Sequence, residues 1–303
     1  MKIKWVTLFL SFLTASCQSQ PPLPKASNNN TLLWEISGNG LKNPSYVFGT
    51  MHMLCPEDAK LSPTMQLVLD RVKELYFEVD MDDMVQMFGS LSSLAMKNDT
   101  KLSDLLTEDE YNRIKKYFEG KLPLPFAMME NYKPMLLSAM IEEQSLPCKA
   151  TNGMEMVILE ESNKRKLEVR GLETMSFQAG LFDSIPYKEQ AKELVKAIDS
   201  SGVPDASIDS LMITYRAQNL DQIEKLTSSA EGVEGKYMDL LLYKRNRNWV
   251  KQFDTIAIKG PVLIAVGAGH LPGSQGVLQL LRKKGYKVTP IKNEAVKVKS
   301  ESI

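Results

Sequence analysis

Two histidines, the only ones in this chain of 303 residues, occupy matching positions. His52 ends the sequence GTMH after the apolar run YVF, and His270 ends the sequence GAGH after the apolar run LIAV. Each motif is therefore a strand-like apolar run followed by Gly-x-x-His. Ligands of open α/β sheets bind beyond the carboxyl ends of the strands, so we expect both imidazoles at that edge.

Two glutamates stand at comparable places. Glu78 lies near the end of the apolar run LYFEV, and Glu173 follows LEVRG. A buried carboxylate is costly unless it is paired, protonated or bound to a metal. Imidazoles with carboxylates suit Zn, Mn, Fe or Co, and the ligand types do not choose among these ions. We therefore predict that His52, His270 and Glu78 bind a divalent metal ion; the alternative is that each histidine is an ordinary hydrogen-bonded structural residue.

The chemical roles follow from the residue types. A divalent ion polarises a scissile carbonyl and lowers the pKa of bound water towards about 7. One glutamate would complete the coordination while the other accepts the proton of the water, and the sequence leaves open which is which. Gly49 and Gly267 are predicted to let the backbone approach the ion or adopt turns closed to other residues. Glu155, which opens a helix, is a further candidate for the site.

Strand-like and helical segments alternate along the chain. We predict strands at 32–36, 45–49, 75–79, 167–171, 261–267 and 286–291, with long helical stretches between most of them. The first two flank GNGLKNP, whose glycines, asparagines and proline are typical of a hairpin turn. Apolar strands alternating with helices predict a single α/β domain, with a mainly parallel sheet covered by helices.

Methionine is abundant, with 17 residues, and several lie between 82 and 97. Met84, Phe88 and Leu91 have helical spacing, which predicts a stripe that packs into the core. Two alternatives are a soft Cu(I) site formed with Met81 and Met87, and a pliable groove for peptide side chains near the strand ends.

The N-terminus is typical of an export signal. Residues 1–16 have a basic start, a short apolar run and small residues, and the sequence TASC ending at Cys17 resembles a bacterial lipobox. We therefore predict a cleaved signal, a lipid on Cys17 that anchors the protein to the membrane of the cell envelope, and a flexible tether over 17–31. The alternative is simple cleavage and a secreted soluble protein. Residues 292–303 form a charged tail.

Cys55 and Cys148 would then reside in an oxidising compartment. There an even pair of cysteines is more often a disulfide than two free thiols. The alternative is that the Cys55 thiolate binds a metal together with His52, three residues earlier, which would leave Cys148 free.

Composition excludes several classes of protein. Lys and Arg number 37 and so do Asp and Glu, with no long basic run, which argues against a nucleic-acid partner. The sequence contains no Walker loop, no dinucleotide fingerprint, no serine nucleophile elbow and no His-Glu-x-x-His motif. Nucleotide binding and the commonest hydrolase and zincin mechanisms are therefore not indicated.

Several segments together resemble one protein family. GTMHML, LYFEVDMDD, GLET, LLYKRNRNW and IAVGAGHLPGSQGVLQLLRKKGY are similar to the TraB/PrgY/GumN family, which includes the Tiki-type metalloproteases. The resemblance covers 32–291 and implies a single α/β domain related to erythromycin-esterase-like and ChaN-like proteins. It also implies a metal-dependent peptidase site, with His52, His270, Glu78 and Glu173 at the family's positions.

Arg245 and Asn246 match an Arg-Asn pair that the family carries on a late helix. By that resemblance we expect Arg245 to stabilise a developing oxyanion or to hold a substrate carboxylate. The sequence thus favours a membrane-anchored, metal-dependent hydrolase that acts on a peptide or protein. The alternative is a non-catalytic lipoprotein that binds or sequesters a hydrophobic peptide in the same cleft.

Overall fold

A computed structural model describes residues 21–119, 125–144, 146, 148, 153–200 and 206–294. The predicted signal at 1–16, Cys17 and residues 295–303 of the predicted tail lie outside the described residues. Six strands form one sheet in the order β4-β3-β5-β2-β1-β6. They are β1 (Leu33–Ser37), β2 (Ser45–Thr50), β3 (Glu74–Val79), β4 (Glu168–Glu173), β5 (Val262–Gly267) and β6 (Lys287–Pro290).

The sheet is parallel on the side that carries the candidate residues. β4, β3, β5 and β2 are parallel neighbours, with Val79 paired to Glu173 and Thr50 paired to Gly267. β1 and β6 are antiparallel and complete the other side. The predicted α/β domain with a mainly parallel sheet is confirmed. Because four strands run in one direction, their carboxyl ends meet at one edge.

Thirteen α-helices surround this sheet within the described ranges. They are α1 (Pro63–Leu69), α2 (Met84–Gly89), α3 (Leu102–Leu105), α4 (Glu108–Phe118), α5 (Pro134–Gln144), α6 (Met154–Lys164), α7 (Met175–Leu181), α8 (Tyr187–Asp199), α9 (Ala206–Arg216), α10 (Leu220–Ser228), α11 (Gly232–Lys236), α12 (Lys244–Ala257) and α13 (Val277–Lys283). Short 3₁₀-helices lie at Leu91–Leu94, Phe126–Met128, Phe182–Ser184 and Ala268–His270, and a π-helical turn at Asp239–Tyr243 precedes α12. None of the described helices is long and apolar enough to cross a bilayer.

Local sequence signals explain several of these boundaries. The hairpin between β1 and β2 turns through Gly38, Asn39 and Gly40, all with positive φ. In α4, Thr107 and Glu110 exchange side-chain-to-backbone hydrogen bonds as a capping box. Thr174 directly follows β4 and caps α7 by accepting a hydrogen bond from the backbone N–H of Phe177 at 3.1 Å. This cap makes the chain turn from strand to helix immediately after Glu173.

Apolar side chains form a main core and a smaller helical one. The main cluster joins the sheet to α1, α6, α10, α12 and α13, and the second lies among α3, α4, α5 and α8. A buried ion pair stands beside the second cluster, where Lys133 Nζ lies 2.8 Å from Asp183 Oδ1. The Lys133 ammonium also donates to the Ala179 carbonyl at 2.8 Å, so its burial is compensated by hydrogen bonds.

The prediction of a buried methionine stripe between 82 and 97 is wrong. Met84 is 54% exposed, Phe88 66% and Leu91 54%. The physical reason is that α2 ends at Gly89 and the chain continues as a 3₁₀-helix, so the predicted stripe does not continue along one helix. α2 contains no buried residue.

Two further differences from the sequence prediction concern the end of β4 and the predicted tether. β4 extends to Glu173 instead of ending at 171, because Glu173 still pairs with β3. Part of the predicted tether lies against the domain: Lys25 forms an antiparallel bridge with Ile291, the Ala26 N–H donates to the Pro290 carbonyl at 3.1 Å, and Leu23 is buried. The segment 23–26 therefore adds contacts at the end of β6.

Candidate active site

The carboxyl edge of the parallel strands carries the four candidate residues. Across the sheet the order is Glu173 at the end of β4, Glu78 on β3, His270 after β5 and His52 after β2. The structure thus places on four neighbouring strands residues that are far apart in the chain. The contacts between them are uneven, because the first three share one hydrogen-bonded cluster while His52 stands at its side.

Glu78 is the centre of that cluster. Its Oε1 accepts a hydrogen bond from the Gly267 N–H at 2.8 Å, and its Oε2 accepts one from Arg245 Nη2 at 2.5 Å. Burial raises the pKa of this carboxyl, whereas His270 and Arg245 lower it, and the balance leaves the Glu78 pKa at about 2. Glu78 is therefore a charged, buried carboxylate at neutral pH, and each of its oxygens accepts at least one hydrogen bond.

His270 is held as a neutral imidazole. Burial lowers the pKa of this ring to about 3. Its Nδ1 lies 2.6 Å from Asn246 Oδ1, while the amide nitrogen of Asn246 donates to the Gln275 carbonyl at 2.9 Å. That amide orientation makes Nδ1 the protonated nitrogen and leaves Nε2 as an acceptor, 3.4 Å from Arg245 Nη1. Nε2 lies 3.6 Å from Glu78 Oε1.

Arg245 connects the two glutamates. Its Nε donates to Glu173 Oε2 at 2.9 Å, its Nη2 donates to Glu78, and its Nη1 donates to the Leu241 carbonyl at 3.1 Å. The guanidinium also stacks over Trp249, 4.8 Å from the ring centroid. Each of the three nitrogens donates within the protein, so the guanidinium holds both carboxylates in place. An arginine has five N–H donors, and the predicted oxyanion or substrate contact stays a prediction.

Glu173 retains one free acceptor. Its side chain is 5% exposed, and Gln178 Nε2 donates to Glu173 Oε2 at 3.2 Å and to Glu78 Oε2 at 3.3 Å. Oε1 of Glu173 is buried and has no hydrogen-bond partner among the described residues. A buried carboxylate oxygen without a donor is unusual and points to a partner outside the described part of the chain, such as a ligand.

His52 has the opposite environment to His270. Its side chain is 66% exposed, and its Nδ1 lies 2.7 Å from Oε1 of the buried Glu155 at the start of α6. The hydrogen bond that this carboxylate accepts from His52 raises the pKa of the ring to about 9. The predicted extra acid therefore reaches the site as a partner of His52. The adjoining backbone is joined as well, since the Met154 N–H donates to the Met51 carbonyl at 3.0 Å.

A disulfide fastens the same loop. Cys55 and Cys148 are bonded, with their Cα atoms 5.7 Å apart, so the predicted bridge is confirmed. Cys55, Glu57 and Asp58 are the one group of three metal-ligating side chains within the described ranges whose donor atoms lie within 4.8 Å of one another. We do not interpret this group as a metal centre, because the sulfur is already bonded and Asp58 pairs with Arg216. The predicted ligands themselves are therefore not gathered into one coordination sphere.

The two motif glycines have different reasons to be small. A Cβ on Gly267 would lie 3.3 Å from Glu78 Oε1, so the backbone here does come close to the candidate site. A Cβ on Gly49 would instead lie 2.8 Å from Leu271 Cδ1 and 3.2 Å from Ala268 Cα. The role of Gly49 therefore differs from the predicted approach to the ion: it lets the end of β2 pack against the loop that carries His270. Neither glycine has a positive φ.

Sequence reasoning missed two contributors to the site. Trp249 packs against His270 with ring centroids 4.4 Å apart and the ring planes tilted by 42°, and Gln178 donates to both glutamates. Trp249 could have been found from its position four residues after Arg245, on the same helix face. Gln178 could have been found from its place in the first turn of the helix that follows Glu173.

Comparison with known protein families covers the part of the chain that forms this site. The sequence model of the TraB/PrgY/gumN family matches residues 32–290, which include all four candidate residues and the Arg245-Asn246 pair. No solved structure gives a significant match to the chain.

Curated relatives are named as metalloproteases. The chain is 22% identical to Metalloprotease TIKI1 of Homo sapiens, over 91% of this chain and 64% of the relative. It is 22% identical to Metalloprotease TIKI2 of Danio rerio, over 86% and 60%, and 24% identical to Metalloprotease TIKI homolog of Amphimedon queenslandica, over 93% and 65%. The chain thus spans less than two thirds of the length of these relatives.

Proposed function

The chain belongs to the TraB/PrgY/gumN family, and from this premise we propose that it is a metal-dependent hydrolase that acts on peptides. The observation that carries the proposal is the state of His270. It is a neutral imidazole, fixed through Nδ1 by Asn246, whose Nε2 keeps its lone pair and lies 3.4 Å from Arg245 Nη1 and 3.6 Å from Oε1 of the charged Glu78. One further imidazole and one further carboxylate lie at the same edge of the sheet.

The donor set fits a divalent ion. Metal-binding histidines usually donate their other ring N–H to a carboxylate or carbonyl oxygen, which fixes the ring and leaves one nitrogen for the metal. Both histidines have such a partner at Nδ1, Asn246 for His270 and Glu155 for His52. The buried Oε1 of Glu173 supports the same interpretation, since it lacks a donor among the described residues. His52, His270 and Glu78 would hold the ion, and Zn, Mn, Fe and Co all suit these donors.

When bound, a divalent ion supplies Lewis-acid polarisation of the substrate carbonyl and a water of lowered pKa. The other parts of the chemistry belong to the chain. Glu173 is the candidate general base, because its Oε1 is free to accept a proton while its Oε2 is held by Arg245 and Gln178. Arg245 and Asn246 would act as positioning residues, since they orient the glutamates and His270.

The test combines metal content with turnover. Purified wild-type protein, loaded with each candidate metal, is assayed against a peptide library, and bound metal is measured by elemental analysis. We expect His270→Ala and Glu78→Gln to lose metal and turnover, and Glu173→Gln to keep metal and lose turnover. Glu74→Gln is the matched control, since Glu74 lies on the same strand as Glu78 but at the opposite end.

The proposal is wrong if the double variant His52→Ala/His270→Ala binds metal and hydrolyses peptides like the wild type. One observation favours a second candidate, a non-catalytic protein that binds peptides at this edge: the predicted ligands are not gathered into one coordination sphere. Peptide binding by metal-free protein, with no turnover under any metal, would support that second candidate instead.

We also propose that a lipid on Cys17 anchors the protein in the cell envelope. The support is the sequence alone, with its basic start, apolar run and small residues before Cys17. A Cys17→Ser variant should move from the membrane fraction to the soluble fraction. If it stays with the membrane like the wild type, the anchor is not at this residue.

A further inference from the structure

A patch of exposed apolar side chains lies next to the candidate active site. It is formed by α2, the 3₁₀-helix Leu91–Leu94 and α7, and we call it the α2–α7 surface. Its members are Met84 (54% exposed), Val85 (84%), Phe88 (66%), Leu91 (54%) and Phe177 (44%). Single exposed apolar residues are ordinary, but several large ones together indicate a surface that contacts another molecule.

The chain connectivity places this surface beside the elements that carry Glu78 and Glu173. α7 begins two residues after Glu173. In α7, Phe177 is the neighbour of Gln178, which donates to both Glu78 and Glu173. On the other side, α2 begins five residues after β3 ends at Val79. α7 packs against the 3₁₀-helix Leu91–Leu94, which joins the two parts into one surface.

The segment that forms most of the surface carries only acidic charges, and the first cation after it, Lys97, is paired with Asp183 at 3.1 Å. Residues 74–96 contain no Lys or Arg, and Asp80, Asp82 and Asp83 lie just before α2. α7 carries no charged residue. Asp83 is used as the cap of α2, accepting from the Gln86 N–H at 2.8 Å, whereas Asp82 is exposed. Such a surface repels an anionic bilayer and attracts an apolar segment that has cationic neighbours.

We propose that the α2–α7 surface is the specificity subsite of the hydrolase, where it binds a large apolar side chain of a peptide substrate flanked by Lys or Arg. The inference rests on the proposed function and adds the class of substrate. Burial of the bound side chain against Phe88 and Phe177 would provide the discrimination, while the acidic residues before α2 would attract the basic neighbours.

The experiment uses the full-length chain and matched peptides. Each peptide carries Leu or Ser at one position and Lys or Glu beside it, and kcat/KM is measured for wild type, Phe88→Ser, Phe177→Ser and Asp82→Lys. We expect wild type to prefer Leu over Ser by about tenfold or more, as apolar pockets typically do. Both Phe variants should lose most of this preference. Asp82→Lys should weaken the preference for Lys neighbours and keep that for Leu.

Ile258→Ser is the matched control. Ile258 is 70% exposed, close to the value for Phe88, but it caps the end of α12 near the start of β5, at the opposite edge of the sheet. We expect it to leave the Leu preference unchanged. All these side chains are on the surface, so thermal melting of each variant should match the wild type and show that folding is not the cause.

A second readout separates this inference from the proposed function. If wild type cleaves no peptide with any metal, the proposed hydrolase is wrong, and binding of a labelled Lys-flanked Leu peptide in chelator still tests the subsite. The inference is overturned if the Phe variants bind and cleave like wild type. It is also overturned if Phe88→Ser instead abolishes binding of a Cys17→Ser protein to phosphatidylcholine vesicles, or abolishes self-association, with the peptide preference intact.

Discussion

The two histidine loops share the motif Gly-x-x-His and differ in nearly every physical property. His270 is buried, neutral and packed against Trp249, with Asn246 fixing its ring. His52 is 66% exposed and has a pKa of about 9, because Glu155 hydrogen-bonds to it. The loop of His270 is held by the side chains of α12, whereas that of His52 is held by α6 and a disulfide.

This difference shows that the motif sets the position of the ring and not its protonation state. Both loops leave parallel neighbouring strands, so both rings reach the same edge. The neighbours come from other elements, and they decide the charge: burial without a carboxylate in hydrogen-bond contact keeps one ring neutral, and a buried carboxylate keeps the other cationic. The His270 side of the site is therefore organised in advance, and the His52 side is the one open to solvent.

The largest expected effect comes from replacing Arg245, which donates hydrogen bonds to both Glu78 and Glu173. Arg245→Met should lower the free energy of unfolding by about 3–5 kcal/mol, because it leaves Glu78 and Glu173 as buried carboxylates without their cation. Urea denaturation measures the loss. Arg170→Met is the control, since Arg170 is 48% exposed in its pairs with Glu74 and Glu168 and should cost no more than about 1 kcal/mol. Equal losses of unfolding free energy in the two variants would contradict the importance of the buried pairing of Arg245 with the two glutamates.

The disulfide should come next, and its effect should be confined to the other loop. Cys55→Ala/Cys148→Ala removes a bridge with a sequence separation of 93, and such bridges typically contribute about 2–4 kcal/mol. Hydrogen exchange should increase in residues 51–59 and stay slow in 268–276. Faster exchange in both segments would mean that the two loops are not stabilised independently.

Replacing each histidine tests the comparison directly. In metal-free protein, His270→Ala should cost about 2–3 kcal/mol, because it leaves a cavity beneath Trp249 and an unpaired Asn246 oxygen. His52→Ala should change stability by less than about 1 kcal/mol, since its ion pair is exposed on one side. Thermal and urea unfolding in chelator give both values. Similar losses of unfolding free energy for the two variants would show that the difference in burial between the rings does not affect stability.

The pH dependence should have opposite signs for the two rings, and solvent screening of the exposed His52 ring should keep its limb within about 1 kcal/mol in total. The pKa of His52 is raised to about 9, so the stability it adds is present below about 6.5 and lost as pH rises towards 9. The pKa of His270 is lowered to about 3, so the unfolded chain takes up the proton first and stability falls as pH drops from about 6.5.

The measurement is unfolding free energy against pH, in chelator, for wild type and both histidine variants. His52→Ala should flatten the alkaline limb alone, and His270→Ala should flatten part of the acidic limb alone. If one substitution flattened both limbs, the two rings would be titrating as a coupled pair, and the contrast between the loops would be wrong.

Much of the fold follows from sequence patterns. The strand VLIAVG was recognisable because it is apolar and ends in glycine, and α4 because Thr107 and Glu110 form its capping box. The prediction failed for Met84, Phe88 and Leu91. Helical spacing shows that side chains share a face, but whether another element covers that face depends on where the helix ends and what packs there.

The candidate residues were likewise accessible from the sequence, and their interactions were not. Residue types and strand positions indicated His52, His270, Glu78 and Glu173, because parallel strands carry their carboxyl ends to one edge. Sequence could not show that all three nitrogens of Arg245 are used inside the protein, since those partners lie on β3, β4 and the turn before α12.

The sequence by itself determined the α/β sheet, the edge at which the histidines and glutamates lie, and a cysteine pair suited to a disulfide. Those features depend on local periodicity, strand direction and residue type, which are properties of short segments. Only the tertiary structure decided that His270 is neutral and His52 cationic, and that Gly49 serves packing. Burial and hydrogen-bond partners are set by elements distant in the chain, and their electrostatic effects depend on distances that no local pattern specifies.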